Sequence, residues 1–312
     1  MTKIQLGARA TDGATVDALL CRDEHRPIKG IVVVSHGFGE HSGSYDELTQ
    51  RLAQAGYASV VFSQRGHGAD VVDNGKLRVD NGSGAGDGEA SRADAKAKDL
   101  RGVIADYDCF LDDIDAVSAA AKQYAPNVPI ALYGHSMGGN IIANYLLREN
   151  RNSAVCAILE SPWFGLENEV SPLVSFMAKV LGRLSPNIAI VNKLSPDDIT
   201  GDVSKADWIR NDPLYHNRIS LRMFAGINKG CANALANASK LTTPTFLAFA
   251  ARERIVSNRA IAEFTSAAGK NVTPKEYDSC HAIHNDVRRD LLFQDIIEFL
   301  DAHCLTELGI RS

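Results

Sequence analysis

The sequence predicts an α/β fold in which a mostly parallel central sheet is flanked by helices and carries an inserted helical cap. Three observations carry that reading. Short β-branched runs alternate with amphipathic helical patterns at the spacing of βαβ units. The strand candidates are continuous apolar runs, as in strands buried on both faces. One block, residues 163–240, breaks the alternation with helical patterns and no strand run.

The first strand candidate is IKGIVVVSHG (28–37), which ends in a glycine turn. YDELTQRLAQAG follows as a helix, with Leu48, Leu52 and Ala55 on one face and Gly56 as its stop. YASVVFSQRGHG is the second strand. Residues 70–98, with NGSGAGDG and charges of both signs, have too few large apolar side chains to order themselves and read as a solvated insertion. A helix over 103–123 presents Ile104, Phe110, Leu111, Ile114 and Val117; PIALYG is a strand, MGGNIIANYLLRE a helix and AVCAILESP a strand.

In the block that follows, Leu173, Phe176, Met177, Val180, Leu181 and Leu184 of PLVSFMAKVLGRL form one apolar stripe, so residues 163–240 read as a helical cap. The alternation resumes with PTFLAFAARERIV, a helix over 260–268 and the short strand VTPKEYD. It closes on a helix over 290–301 that docks through Leu291, Leu292, Phe293, Ile296, Ile297 and Leu300. No internal repeat appears. The economical division is one core from residues 1–162 and 241–312, with the cap at 163–240.

The 312 residues are 45% hydrophobic and 23% charged, enough to bury a large core without disulfides. A formal net charge of -5 gives no basic field, which argues against nucleic acid as a partner. The N-terminal segment has no signal-peptide pattern and no stretch reaches the roughly 20 apolar residues of a membrane span, so a cytoplasmic location is expected. The six cysteines are scattered without CxxC or metal-ligand spacing and read as reduced thiols.

GHSMG (134–138) fits the GxSxG pattern. It follows a strand and opens a helix, the context in which a sharp turn exposes the serine hydroxyl. Small neighbours, Gly134, Gly138 and Gly139, suit that turn, and Ser136 is the candidate nucleophile. A serine hydroxyl needs a neighbouring base, and position after the last strand selects His281, in YDSCHAIH, from nine histidines. The carboxylate that orients the imidazole is either Glu253, after the strand PTFLAFA, or Glu160, in LESP; motif order favours Glu253. HGFG (36–39) ends the first buried strand, so the backbone N–H groups of Phe38 and Met137 are the candidate oxyanion donors. His36, His41, His67 and His135 also stand near strand ends, but as turn residues without HxH or HxxxH spacing, and no metal is expected.

Taken together, HGFGEHSGSY, QRGHG, GHSMGG, NDPLYH, SPLVSFMAKVLGRLSPN and RIV…CHAIH resemble the monoacylglycerol lipase and lysophospholipase-like branch of the α/β-hydrolases, over nearly the whole chain except 70–98. The resemblance implies hydrolysis of a monoacyl lipid or similar ester, no cofactor, and a cap able to meet a lipid surface transiently. It also implies that Glu40, His135 and His284 face the polar head of the substrate. The chain departs from the family pattern in having Glu253 for the usual aspartate, Ser44 for a glycerol-binding arginine, Ile209 for a cap tyrosine and the bulky Phe38 for a small residue. The function expected is hydrolysis of lipid-like carboxylic esters through Ser136, His281 and Glu253. A small-substrate peptidase or amidase, and a non-catalytic scaffold, are the alternatives.

Overall fold

The computed structural model describes residues 1–68, 71–73, 76–77, 100–148, 154–168, 188–192 and 194–307. Eight strands form one sheet: β1 (Thr2–Arg9), β2 (Thr15–Arg22), β3 (Ile31–Ser35), β4 (Ala58–Phe62), β5 (Ile130–His135), β6 (Ala154–Glu160), β7 (Thr245–Ala250) and β8 (Val272–Tyr277). Their spatial order is β1-β2-β4-β3-β5-β6-β7-β8. β1 and β2 pair antiparallel, as do β2 and β4; every pairing from β4 to β8 is parallel. The chain runs outward one way from β3 to β4 and the other way from β5 onward. The crevice at the carboxyl ends of β3 and β5 is therefore the switch point at which such sheets place their ligands.

The helices described are α1 (Asp46–Gln54), α2 (Asp108–Tyr124), α3 (Met137–Leu146), the single turn α4 (Pro196–Ile199), α5 (Val203–Asn211), α6 (Leu221–Asn237), α7 (Asn258–Ala268) and α8 (Arg289–Glu307). Both sheet faces are covered. Val33, Leu132, Ala157 and Leu247 pack with α2, α3, α6 and α7 through Ile114, Ile141, Ile227 and Phe264. On the other face Val32, Val34, Ile158 and Ala248 pack with α1 and α8 through Leu48, Leu52, Leu292 and Leu300. Because successive strand side chains point to opposite faces, a strand covered on both sides must be apolar at every position, which is why IVVVS reads as an unbroken run.

The structure departs from the sequence reading in four places. The helix expected over 103–123 begins only at Asp108, so the buried Ile104 precedes it. A hairpin of β1 and β2 precedes the first expected strand. Its register runs from Thr2 opposite Arg22 to Arg9 opposite Thr15, and Leu6, Ala8, Val16, Ala18 and Leu20 join the core. The 163–240 block is not strand-free, since Ala189–Val191 pairs antiparallel with Arg218–Ser220. In α8, Leu291 is 45% exposed because it points away from the buried stripe of Leu292, Phe293, Ile296 and Leu300, and Ile297 is only half-buried. The apolar stripe expected over Leu173 to Leu184 and nearly all of the 70–98 insertion lie outside the described residues. Within 163–240 the described helices are α4, α5 and α6.

Candidate active site

Ser136 occupies the turn between β5 and α3 with φ 52° and ψ -113°, a conformation L-residues avoid. The turn is held by three backbone hydrogen bonds: Ser136 N donates to Glu160 O at 2.9 Å, while Asn140 N and Trp163 N donate to Ser136 O at 3.0 and 2.9 Å. It closes only because its neighbours lack side chains. A Cβ on Gly134 would strike the Gly138 carbonyl, and one on Gly138 would strike the Ser35 carbonyl.

His281 lies beyond β8, and its Nδ1 is 2.7 Å from Glu253 Oε2. The other oxygen of Glu253 accepts from the backbone N–H groups of Arg254, Ile255 and Val256 at 3.0, 2.8 and 3.2 Å, so the carboxylate is fixed by its own loop. Burial alone would lower the His281 pKa, but the Glu253 charge and hydrogen bond outweigh it and raise the pKa above its ordinary value. Burial likewise opposes ionisation of Glu253, and His281 reverses that, leaving its pKa lowered.

Glu160, the alternative partner, meets a different histidine. Its Oε1 is 2.9 Å from His284 Nδ1 and accepts the His284 backbone N–H at 3.0 Å, and Tyr133 donates a short hydrogen bond to its other oxygen. Despite complete burial, the His284 charge brings the Glu160 pKa down to about 2, and Glu160 raises that of His284. The His284 ring stacks on Tyr45 with centroids 4.7 Å apart. His135 stands between the two pairs, its ring 4.9 Å from His281 and 4.8 Å from His284.

The loop after β3 supplies the opposite wall. Glu40 is buried, and its Oε2 accepts from Gly37 N at 2.7 Å and from the Tyr45 hydroxyl at 2.6 Å. Burial opposes its charge, yet His135, His284 and the Tyr45 hydroxyl hold the carboxyl well below the usual range. Among the described residues, no protein acceptor takes the backbone N–H of Phe38 or of Met137, the first residue of α3.

Ser136 and His281 open into a cavity of about 260 Å³, walled by Phe38, Trp163, Leu166, Ile190, Ile219, Leu221, Phe224 and Ile255. Glu40 and His135 reach this cavity at its polar end; His284 does not. Glu40, His135 and His284 bring one ligating atom each within 4.8 Å of one another. Most of the candidate ligand atoms are engaged, Glu40 Oε2 by Gly37 and Tyr45, His284 Nδ1 by Glu160 and its Nε2 by Asn285 at 3.1 Å, whereas His135 Nε2 is buried with no hydrogen-bond partner among the described residues. The six cysteines are all free.

Of the sequence candidates, Ser136, His281, Glu253, Phe38, Met137, Glu40 and His135 converge on this crevice, while Glu160 and His284 pair behind it. Sequence reasoning missed Tyr45 and Tyr133, which complete the buried polar cluster, and Asp212, Tyr215 and His216 on the far side of the β3 loop. The motif NDPLYH was the available signal for the last three.

Strand order, the serine turn out of β5 and the histidine beyond β8 define an α/β-hydrolase. Residues 26–288 match the family described as serine aminopeptidase, S33, and the chain belongs to that family. Monoacylglycerol lipase of Mycolicibacterium smegmatis is 27% identical over 88% of this chain and 89% of its own length. Monoglyceride lipase of Mus musculus is 30% identical over 83% of this chain and 77% of its own. An abhydrolase domain-containing protein of Dictyostelium discoideum is 26% identical over 96% of this chain, which spans 29% of that longer protein. Among solved structures, a soluble variant of monoglyceride lipase from Saccharomyces cerevisiae, in complex with a substrate analog, has the same fold, with a TM-score of 0.78 and 22% identity over 97% of this chain and 96% of that one. The protein is thus a carboxylic ester hydrolase of the monoacylglycerol-lipase-like branch.

Proposed function

We propose that this enzyme hydrolyses lipid-like monoesters, monoacylglycerols or lysophospholipids, through an acyl-enzyme. The observation that carries this reading is that Ser136 and His281 share one apolar cavity while the second ring nitrogen of His281 is held by Glu253. Ser136 Oγ attacks the ester carbonyl as His281 Nε2 takes its proton. Glu253 keeps the imidazole in the required tautomer and compensates the imidazolium. The N–H groups of Phe38 and Met137 stabilise the oxyanion, a contribution of roughly 2.7 to 4 kcal/mol per donor. His281 then protonates the departing alcohol and activates the water that releases the acid.

The apolar walls suit an acyl chain, and the names borne by the relatives, among them a phospholipase of Bacillus subtilis, support a lipid ester. Glu40 and His135 stand where the alcohol part would leave, and His284 acts behind them. Residues 163–240 serve as the cap. Ile190 both lines the cavity and is 49% exposed, which supports transient contact of this rim with a lipid surface. Among the described residues, no helix is long and apolar enough to cross a membrane.

The test is fluorophosphonate labelling of wild type and Ser136→Ala, followed by turnover of monoacylglycerols, lysophospholipids, 4-nitrophenyl esters and aminoacyl amides. Labelling lost in the variant and preference for a monoacyl ester support the reading; faster turnover of the amides would replace it with a peptidase.

A further inference from the structure

The sequence motif NDPLYH (211–216) has no part in the chemistry just described, yet it lies against the loop that carries Phe38. Four contacts join them. Asp212, at the end of α5, places Oδ2 2.9 Å from His41 Nε2, and both side chains are at least nine-tenths buried. Gly43 N donates to His41 Nδ1 at 3.1 Å, which leaves the ring proton on Nε2, facing Asp212. Tyr215 reaches Glu40 Oε1 at 3.5 Å. His216 N donates to Gly39 O at 3.0 Å, and the two backbones are so close that a Cβ on Gly39, where φ is +77°, would strike the His216 carbonyl. The His216 ring meets Phe38 edge-on, with centroids 5.8 Å apart, and stacks on His67 at 4.7 Å.

We propose that Asp212 and His216 are positioning residues: the 211–216 segment is a clasp that fixes the backbone of residues 37–39 and so aims the Phe38 N–H at the reacting carbonyl. This rests on the oxyanion role proposed for Phe38. No protein acceptor among the described residues takes that N–H; its peptide is held at its own carbonyl, Gly37 O, by His36 Nδ1 at 2.7 Å and Glu40 N at 3.4 Å, while Gly37 N is bound by Glu40 on one side and Gly39 O by His216 on the other. Asp212 anchors both ends of the arrangement, since its Oδ1 accepts the Leu214 N–H at 2.8 Å while its Oδ2 holds His41. A preorganised donor acts only if its position is held before charge develops, so loosening the clasp weakens the transition state more than the bound substrate.

Asp212→Asn tests this without opening a cavity, because the amide oxygen still serves Leu214 but no acceptor remains for His41 Nε2–H. With a short 4-nitrophenyl ester, kcat should fall roughly 10- to 100-fold with KM within about twofold, the range for a misplaced catalytic group. Affinity for an alkyl boronic acid, which forms a tetrahedral adduct on serine, should fall in step. His41→Ala should do the same, and the double variant should cost no more than the worse single one. A kcat within about twofold of wild type, undiminished boronate affinity, or fully additive losses would overturn the clasp. If wild type turns over no ester, the proposed function fails separately. The clasp is then read by amide hydrogen exchange, which Asp212→Asn must accelerate in residues 37–41, and unchanged exchange there overturns it.

Discussion

The imidazole of His281 meets the carboxylate of Glu253 at 2.7 Å, with the two side chains only 4% and 2% exposed. Three residues further along the same loop, His284 repeats the arrangement with Glu160 at 2.9 Å. Two histidine–glutamate pairs therefore lie side by side, and only the first opens into the cavity beside Ser136. Different consequences follow from removing each charge.

Glu253→Gln should lower kcat by several orders of magnitude, since the amide admits the wrong tautomer and leaves the imidazolium uncompensated. Glu160→Gln should cost far less activity. Measuring kcat for both against one activated ester decides the roles, and a larger loss at Glu160 would assign the orienting carboxylate to the rear pair.

Stability should also depend on the rear pair. Glu160 has a folded pKa of about 2 against an ordinary 4.5, so its contribution is complete above pH 4.5 and is lost as pH falls toward 2. The raised pKa of His284 gives a contribution complete below pH 6.5 and lost as pH rises through the folded value. The pair stabilises most between those limits. Glu160→Gln should destabilise the protein there by about 3 kcal/mol, the scale for stranding one member of a buried ion pair. Melting curves of both proteins at pH 5.5 and pH 9 check this, and a difference that grows at the higher pH contradicts it.

Activity should rise with pH along an acidic limb centred above 6.5, because His281 must be neutral to accept the proton and its pKa is raised, chiefly by Glu253 against the effect of burial. The residual activity of Glu253→Gln should have its limb displaced downward. A pH profile of kcat/KM for each enzyme provides the comparison; an upward displacement would show that another group titrates.

Gly138→Ala adds one methyl group where the Ser35 backbone already stands. The turn must open or the protein must lose several kcal/mol, on the scale of overpacking in a close-packed core. Activity below about 1% of wild type together with a lowered melting temperature is expected, and a well-folded, fully active variant would show that the turn has slack.

Acyl preference should respond to the wall formed by Ile219, which is buried and faces the cavity. Ile219→Phe takes volume from a space of about 260 Å³, so kcat/KM for long-chain monoesters should fall at least tenfold relative to a butyrate ester, the scale for a few methylenes in an apolar pocket. Equal losses on both esters would place the chain elsewhere.

The parallel strands were legible because burial on both faces forces unbroken apolar runs such as IVVVS and TFLAFA. The β1–β2 hairpin was not: its exposed Lys3, Gln5 and Asp17 interrupt the apolar signal, leaving a weak alternation around TDG. The three-residue strands Ala189–Val191 and Arg218–Ser220 are too short to leave a periodic pattern. Ser136, His281 and Glu253 could be named as candidates because each follows a recognisable strand in fixed order. Motif order favoured Glu253 over Glu160 without telling which histidine each carboxylate meets: β6 and β7 are neighbours, both carboxylates end at the same edge of the crevice, and Glu253 lies beside His281 while Glu160 lies beside His284. Tyr133 carries no local mark of its contact with Glu160, nor Tyr45 of its stacking on His284, because each joins separate segments of the chain.

The outermost strands bear on how the protein behaves at high concentration. A sheet ends in unpaired peptide groups that invite a further strand from another molecule. Here β8 contains Pro274, which can donate nothing to such a ladder, followed by the charged Lys275 and Glu276, while β1 sets Lys3 and Arg9 along its length. Both borders of the sheet therefore resist extension, and crowded molecules should stay dispersed rather than stack edge to edge into fibres.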